Sequence, residues 1–258
     1  MTDKKAPKGL LLLGLLIAAS LAVAAACGGS AAGDTLTVAA AANIQPVVAE
    51  VGRLFQEETG ISVIFSFGSS GRLASQVEQG APFDVFVSAD VDYVDRLRQG
   101  GHIIADTQVS YAVGRLALIA TRDDISTLDD LLKPQVRRIA IANPNHAPYG
   151  QAAAQALRSA GLWQKLEDKI VFGENVRQAF QFVRSGQAEA GLVALSLAVA
   201  DGVNYVVMDD SLHQPLVQAA AVVAAIDDEG PARQFLAFLR GPQAQKVLAC
   251  YGFALPQN

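Results

Sequence analysis

Only two cysteines, Cys27 and Cys250, occur in the 258 residues. That is too few for a disulfide-built scaffold or a cysteine zinc site. The three histidines, His102, His146 and His213, are scattered without metal-ligand spacing. Positive charge is scarce. Twenty Lys and Arg face 25 Asp and Glu, and the net charge of −5 excludes a broad basic surface for nucleic acid. Neither a G-x-S-x-G elbow nor a G-x-x-x-x-G-K-[ST] phosphate loop is present. What is plentiful is apolar: 51% of residues are hydrophobic and 17% charged, the balance of a globular chain of one or two domains.

The first 26 residues read as a secretory signal. Lys4, Lys5 and Lys8 precede 17 uncharged residues (10–26) that end in Ala24, Ala25 and Ala26. The alternative is a permanent anchor, since 17 apolar residues just reach across a bilayer. Cleavage takes Asp3 and three lysines away and leaves a net charge of −7. The Ala-Ala-Ala-Cys end resembles the lipobox of bacterial lipoproteins, with Ala24 where leucine usually stands. The resemblance implies that Cys27 is lipidated. Residues 27–33 then form a lipid-anchored tether, flexible through its Gly-Gly-Ser-Ala-Ala-Gly composition. Cys250 is left without an intrachain partner and reads as a small buried residue.

Short apolar strands at 36–42, 63–67 and 84–87 alternate with helices. Val47, Val48, Val51, Leu54 and Phe55 recur at helical spacing, and Gly60 closes that helix. Leu73 and Val77 lie on a second helix, and Val91, Val94 and Leu97 on a third. A long apolar stretch follows at 109–121. A second series then has strands at 138–142, 170–171, 191–195 and 206–207, with helices at 150–159 and 176–185. Residues 216–226 repeat the long apolar character, and two helices end the chain. This is an α/β chain with mostly parallel sheets. The two long apolar segments read as crossings between a first lobe, 34–112 plus 219–258, and a second, 113–218.

Paired acids at Asp129-Asp130 and Asp209-Asp210 sit beside turns and read as caps. More informative are four turns of small or polar residues that lead into helices. They are Ala41-Ala42-Asn43, Gly68-Ser69-Ser70-Gly71, residues 143–150 (NPNHAPYG) and Gly173-Glu174-Asn175-Val176. Helix starts expose unpaired N–H groups and partial positive charge, so several such ends at one cleft hold an anion without Lys or Arg. Taken singly, Asn43, Ser69, Ser70 and Asn175 are ordinary N-caps, Gly68 and Gly71 permit tight turns, and Tyr149 packs as an apolar body in a rigid loop.

The segments VAAAAN (38–43), FGSSGRLASQVEQGAPFDVFVSAD (67–90), ANPNHAPYGQAAAQAL (142–157), GENVRQAF (173–180), GLVALS (191–196) and LRGPQAQKVLACYGF (239–253) complete the picture. Over 36–253 the chain resembles the periplasmic molybdate-binding proteins of bacterial ABC importers. The resemblance implies a two-lobed periplasmic-binding-protein fold of type II with two crossover segments, closing on a tetrahedral oxyanion, molybdate or tungstate. It implies no catalysis, no cofactor, no metal ligated directly and no nucleic acid. It also implies a monomer that meets a membrane permease while anchored outside the cytoplasmic membrane or free in the periplasm. Carried over by position, Asn43 donates from the first turn and Ala42 adds a weaker backbone N–H. Ser70 gives its hydroxyl and N–H, and Tyr149 and Val176 give backbone N–H groups. Some members carry a tyrosine hydroxyl where this chain has Ala194.

Three other readings of the same residues remain. One is a receptor for another oxyanion such as sulfate. Another is a secreted hydrolase using Ser70 with His146, the nearest histidine by loop position. The last is a ligand-sensing domain of a regulator, against which the export signal and the lack of a helix-turn-helix segment count.

Overall fold

The computed structural model describes Thr2 and residues 35–256. The expected signal, tether and Cys27 lie outside the described residues. Ten strands form two five-stranded sheets. The first has the order β2-β1-β3-β10-β4, with β1 Thr35–Ala41, β2 Ser62–Gly68, β3 Val85–Ser88, β4 Val109–Gly114 and β10 Leu216–Val222. The second has the order β7-β6-β8-β5-β9, with β5 Leu116–Ala120, β6 Ile139–Ala142, β7 Ile170–Gly173, β8 Ala190–Ala194 and β9 Tyr205–Val207.

The two sheets share one plan. β1 runs parallel to β2 and β3, and β6 runs parallel to β7 and β8. Each sheet contains one reversed strand: β10 is antiparallel to β3 and β4, and β5 to β8 and β9. In both, the reversed strand is the first one the chain forms on arriving from the other sheet. The apolar stretch 109–121 therefore splits into β4 and β5, with only Arg115 between them. Val113, Gly114 and residues 216–218, expected in the second lobe, pair within the first sheet, where Gly114 faces Leu216. The strands carry their pairing beyond the point where hydropathy marks a change.

Nine helices flank the sheets among the described residues: α1 Gln45–Thr59, α2 Ser70–Glu78, α3 Val91–Gln99, α4 Pro148–Ser159, α5 Trp163–Leu166, α6 Val176–Arg184, α7 Leu195–Asp201, α8 Gly230–Arg240 and α9 Pro242–Cys250. Side chains of β1 alternate between the faces of the sheet, as a strand's period of two requires. Val38 and Ala40 enter a core with Val47, Val51 and Phe55 of α1 and with Phe235 of α8. Ala39 enters the opposite core with Leu73 and Val77 of α2 and Val94 and Leu97 of α3. Phe55 meets Phe235 edge to face, with ring centroids 5.3 Å apart. Gly60 ends α1 in the left-handed conformation, φ 79°, which L side chains adopt at a cost.

Two local expectations fail. Leu195, expected to end the strand 191–195, instead opens α7, a helix that the sequence reading does not include. The LSLAVA run is apolar because its start is buried in the core, so it lacks the polar face that signals a helix. Cys250 is exposed, not buried, because it falls on the outer side of the last turn of α9. No helix of the described residues is long and apolar enough to cross a membrane.

Candidate oxyanion site

The four small or polar turns all follow parallel strands. β1 passes through a single 3-10 turn, Ala42–Ile44, into α1, and β2 leads through Ser69 into α2. β6 leads through residues 143–147 into α4, and β7 through Glu174 and Asn175 into α6. Each turn lies at the carboxyl end of an edge strand, β2 or β7, or of its neighbour, β1 or β6, the end at which open α/β sheets bind ligands. The tertiary fold brings them to one small cavity, lined by Ala42, Asn43, Ser70, Tyr149 and Val176 together with Ala89 and Ala147. No charged side chain of the described residues lines it. A roomier surface groove over Glu58 and Phe238 collects none of these turns, and another beside Arg72 collects only the second and fourth. No group of three or more His, Cys, Asp and Glu suited to a metal ion occurs among the described residues.

Ser70 is the first residue of α2, Val176 the first of α6, and Tyr149 the second of α4. Their N–H groups belong to the first turn, where no partner exists within the helix. Asn175 caps α6, accepting from the N–H groups of Arg177 and Gln178 at 3.1 Å. Ser69 occupies the cap position of α2 but makes no cap bond; its hydroxyl instead contacts Nδ1 of His146 at 2.8 Å. Ser70 Oγ accepts from the N–H of Ala89 at 3.0 Å, which leaves its own proton to donate. The Ser70–His146 pair expected for a hydrolase is absent, because the histidine faces Ser69.

Asn43 is wholly buried, and its Nδ2 donates to Oε1 of Gln218 at 2.9 Å. Its carbonyl accepts from the hydroxyl of Ser196 at 2.8 Å, so the second half of the chain holds this turn too. Tyr149 is more than a packed apolar body. Burial pushes its phenol well above the usual range, and the amides of Asn43 and Gln218 beside the hydroxyl pull the other way. Ala194 is buried in β8 and does not line the cavity.

Around the mouth, contacts tie α2 to the two turns of the second sheet. The N–H of Gly71 donates to the carbonyl of His146 at 2.9 Å. Arg72 forms an ion pair with Glu174, and Oε1 of Glu174 lies 3.8 Å from Nε2 of His146. Burial lowers the imidazole's proton affinity; Glu174 opposes this and Arg72 reinforces it. The paired acids do serve turns. Asp130 accepts from the N–H groups of Ser126 and Thr127, and Asp209 from that of Ser211.

Gln218, Tyr111 and Ala89 lay outside the sequence expectation. The available signal was Gln218 itself, the one polar residue in the apolar run 216–226, since a buried amide must find partners.

The profile of the bacterial extracellular solute-binding protein family matches residues 36–254. The molybdate-binding protein ModA of Azotobacter vinelandii is 37% identical over 239 residues, covering 89% of this chain and 93% of that protein. The molybdate-binding protein ModA of Rhodobacter capsulatus is 36% identical over 229 residues, covering 87% and 89%. Among solved structures, the Azotobacter vinelandii periplasmic molybdate-binding protein superposes with a TM-score of 0.82 at 32% identity, covering 86% of this chain and all of that one. With its two sheets of one plan and its cavity at their carboxyl ends, the chain belongs to the family of bacterial extracellular solute-binding proteins.

Proposed function

We propose that this chain is an extracytoplasmic receptor that binds molybdate, and tungstate in the same way, and hands it to the permease of an ABC importer. The observation that carries the reading is the convergence of four turns, through their neutral residues, on one uncharged cavity, in a chain more than a third identical to two molybdate-binding proteins. Asn43, Ser70, Tyr149, Val176 and, more weakly, Ala42 are its donors. A fully deprotonated dianion accepts at every oxygen, and each buried charge-assisted hydrogen bond contributes about 1.5–3 kcal/mol. A cavity that offers donors penalises an anion that carries a proton, as phosphate does at neutral pH, because the O–H meets no acceptor. Selection of molybdate over sulfate then rests on size.

The chain acts as two lobes that divide with the sheets, joined at Arg115 and through 208–215, and closes on the anion by bending there. It performs no catalysis and holds no cofactor. It works as a monomer tethered by an acylated Cys27 outside the cytoplasmic membrane. Calorimetric titration of residues 28–258, stripped of ligand, with molybdate, tungstate, sulfate and phosphate tests this. Tight one-to-one binding of molybdate and tungstate with sulfate far weaker is expected. Equal or stronger sulfate binding moves the assignment to another oxyanion, and no binding by any of the four overturns it.

A further inference from the structure

Gln218 is wholly buried on β10, beside a break in that strand's register with β4. Every hydrogen-bonding group of its amide has a partner. Nε2 donates to the carbonyls of Ala89 and Leu216, each at 3.2 Å. Oε1 accepts from Nδ2 of Asn43 at 2.9 Å and faces the hydroxyl of Tyr111 at 3.4 Å. Two of these partners are main-chain carbonyls, which only accept. The amide of Gln218 therefore cannot be turned over without setting oxygen against oxygen.

That constraint passes to Asn43. Because Oε1 of Gln218 is fixed, Asn43 must present its NH₂ to it. Turning the Asn43 amide over would set its oxygen against Oε1, so the bond it donates to Gln218 is what fixes its orientation. The same amide reaches Ser70 by one further step. The Ala89 carbonyl accepts a hydrogen bond from Gln218, while the Ala89 N–H donates to Ser70 Oγ at 3.0 Å.

We propose that Gln218 is the positioning residue of the oxyanion site, holding the amide of Asn43 in a single orientation against the cavity. The inference rests on the receptor reading. Its chemistry is that of a rigid backing: Gln218 touches no ligand, and removing it frees Asn43 to rotate and to offer an acceptor to a negatively charged guest.

The test is calorimetric titration of molybdate into four full-length proteins: wild type, Q218M, N43A and N43A/Q218M. Methionine keeps the length of glutamine and removes both polar atoms. Loss of a fixed donor weakens binding about tenfold or more, so Q218M is expected to bind at least that much more weakly than wild type. In the N43A background the same change is expected to cost less than about threefold, because the group it positions is gone. A purely structural role gives equal factors in both backgrounds, and that result overturns the inference, as does a Q218M protein with wild-type affinity. A wild type that binds neither molybdate nor any other oxyanion overturns the receptor reading first, and this inference with it. Should Q218M fail to fold, Q218N, which keeps the amide one methylene short of Asn43, is read by the same comparison.

Discussion

The main-chain N–H of Gly71 donates to the carbonyl of His146 at 2.9 Å, joining the start of α2 to a loop of the second sheet across the mouth of the cavity. A methyl group at Gly71 would stand 2.8 Å from that carbonyl oxygen and 2.9 Å from Cε1 of Tyr93. The backbone of α2 approaches this closely only because residue 71 has no side chain. The glycine is helical and needs no unusual φ, so the constraint comes from its neighbours: the His146 carbonyl across the cleft and the Tyr93 ring of α3 on its own side.

Gly71→Ala separates closure from folding. Alanine favours helix over glycine by up to about 1 kcal/mol, which offsets the shift the Tyr93 ring must make, so the ligand-free protein should melt close to wild type. Molybdate affinity should fall by about tenfold or more, since overpacking a close contact costs about 1–3 kcal/mol. Unchanged affinity in calorimetry would mean that the mouth does not close as described.

Acidification should weaken binding through His146. Its proton affinity is lowered where it sits, chiefly by burial, while an imidazole in open solvent titrates near about 6.5. The open form therefore takes up a proton more readily than the closed form. Closure is unaffected at pH 8, and it loses stability as the pH falls through about 6.5. Titrations between pH 8 and 5.5 should follow that sign in the wild type and flatten in His146→Gln.

Arg72→Ala should do little. Both members of the Arg72–Glu174 pair are largely exposed, and such pairs contribute about 0–1 kcal/mol. A loss of affinity below about fivefold, shrinking as salt is added, is the expected result. A much larger, salt-independent loss would make the pair a principal fastening of the closed form.

Asn43→Ala with Ser70→Ala should reduce oxyanion affinity by more than about a hundredfold while leaving the fold intact. Two buried donors are removed, and the Ala89 N–H loses its acceptor as well. Circular dichroism and calorimetry on the same sample decide it, and wild-type affinity would sink the assigned donor set.

Cys27→Ser should release the protein from membranes. Metabolic labelling with a fatty acid should mark the wild type and leave the variant unlabelled. An unlabelled wild type recovered in the soluble fraction would remove the anchor and leave only the export signal.

Much of the fold was legible because its signals are local. Gly60 ends α1 because a left-handed residue must stand there, and the continuous apolar run 36–42 reads as a strand, which lies between two layers of helix. Two elements escaped. The stretch 109–121 reads as one apolar run, yet β4 and β5 belong to different sheets, since hydropathy records burial without saying in which core. The helix α7 has buried residues around its first turn, so its period is hidden.

By itself, the sequence determined the chemistry available at each turn: small residues, hydroxyls, amides and helix starts after strands, with no charge among the residues that line the cavity. Tertiary structure alone decided which of these groups meet. Asn43 and Gln218 stand 175 positions apart and share a hydrogen bond, and His146 faces Ser69 in preference to its neighbour. Caps and periods depend on the φ and ψ of a few consecutive residues. Convergence depends on how two twisted sheets pack against each other, and no local stretch of sequence encodes that distance.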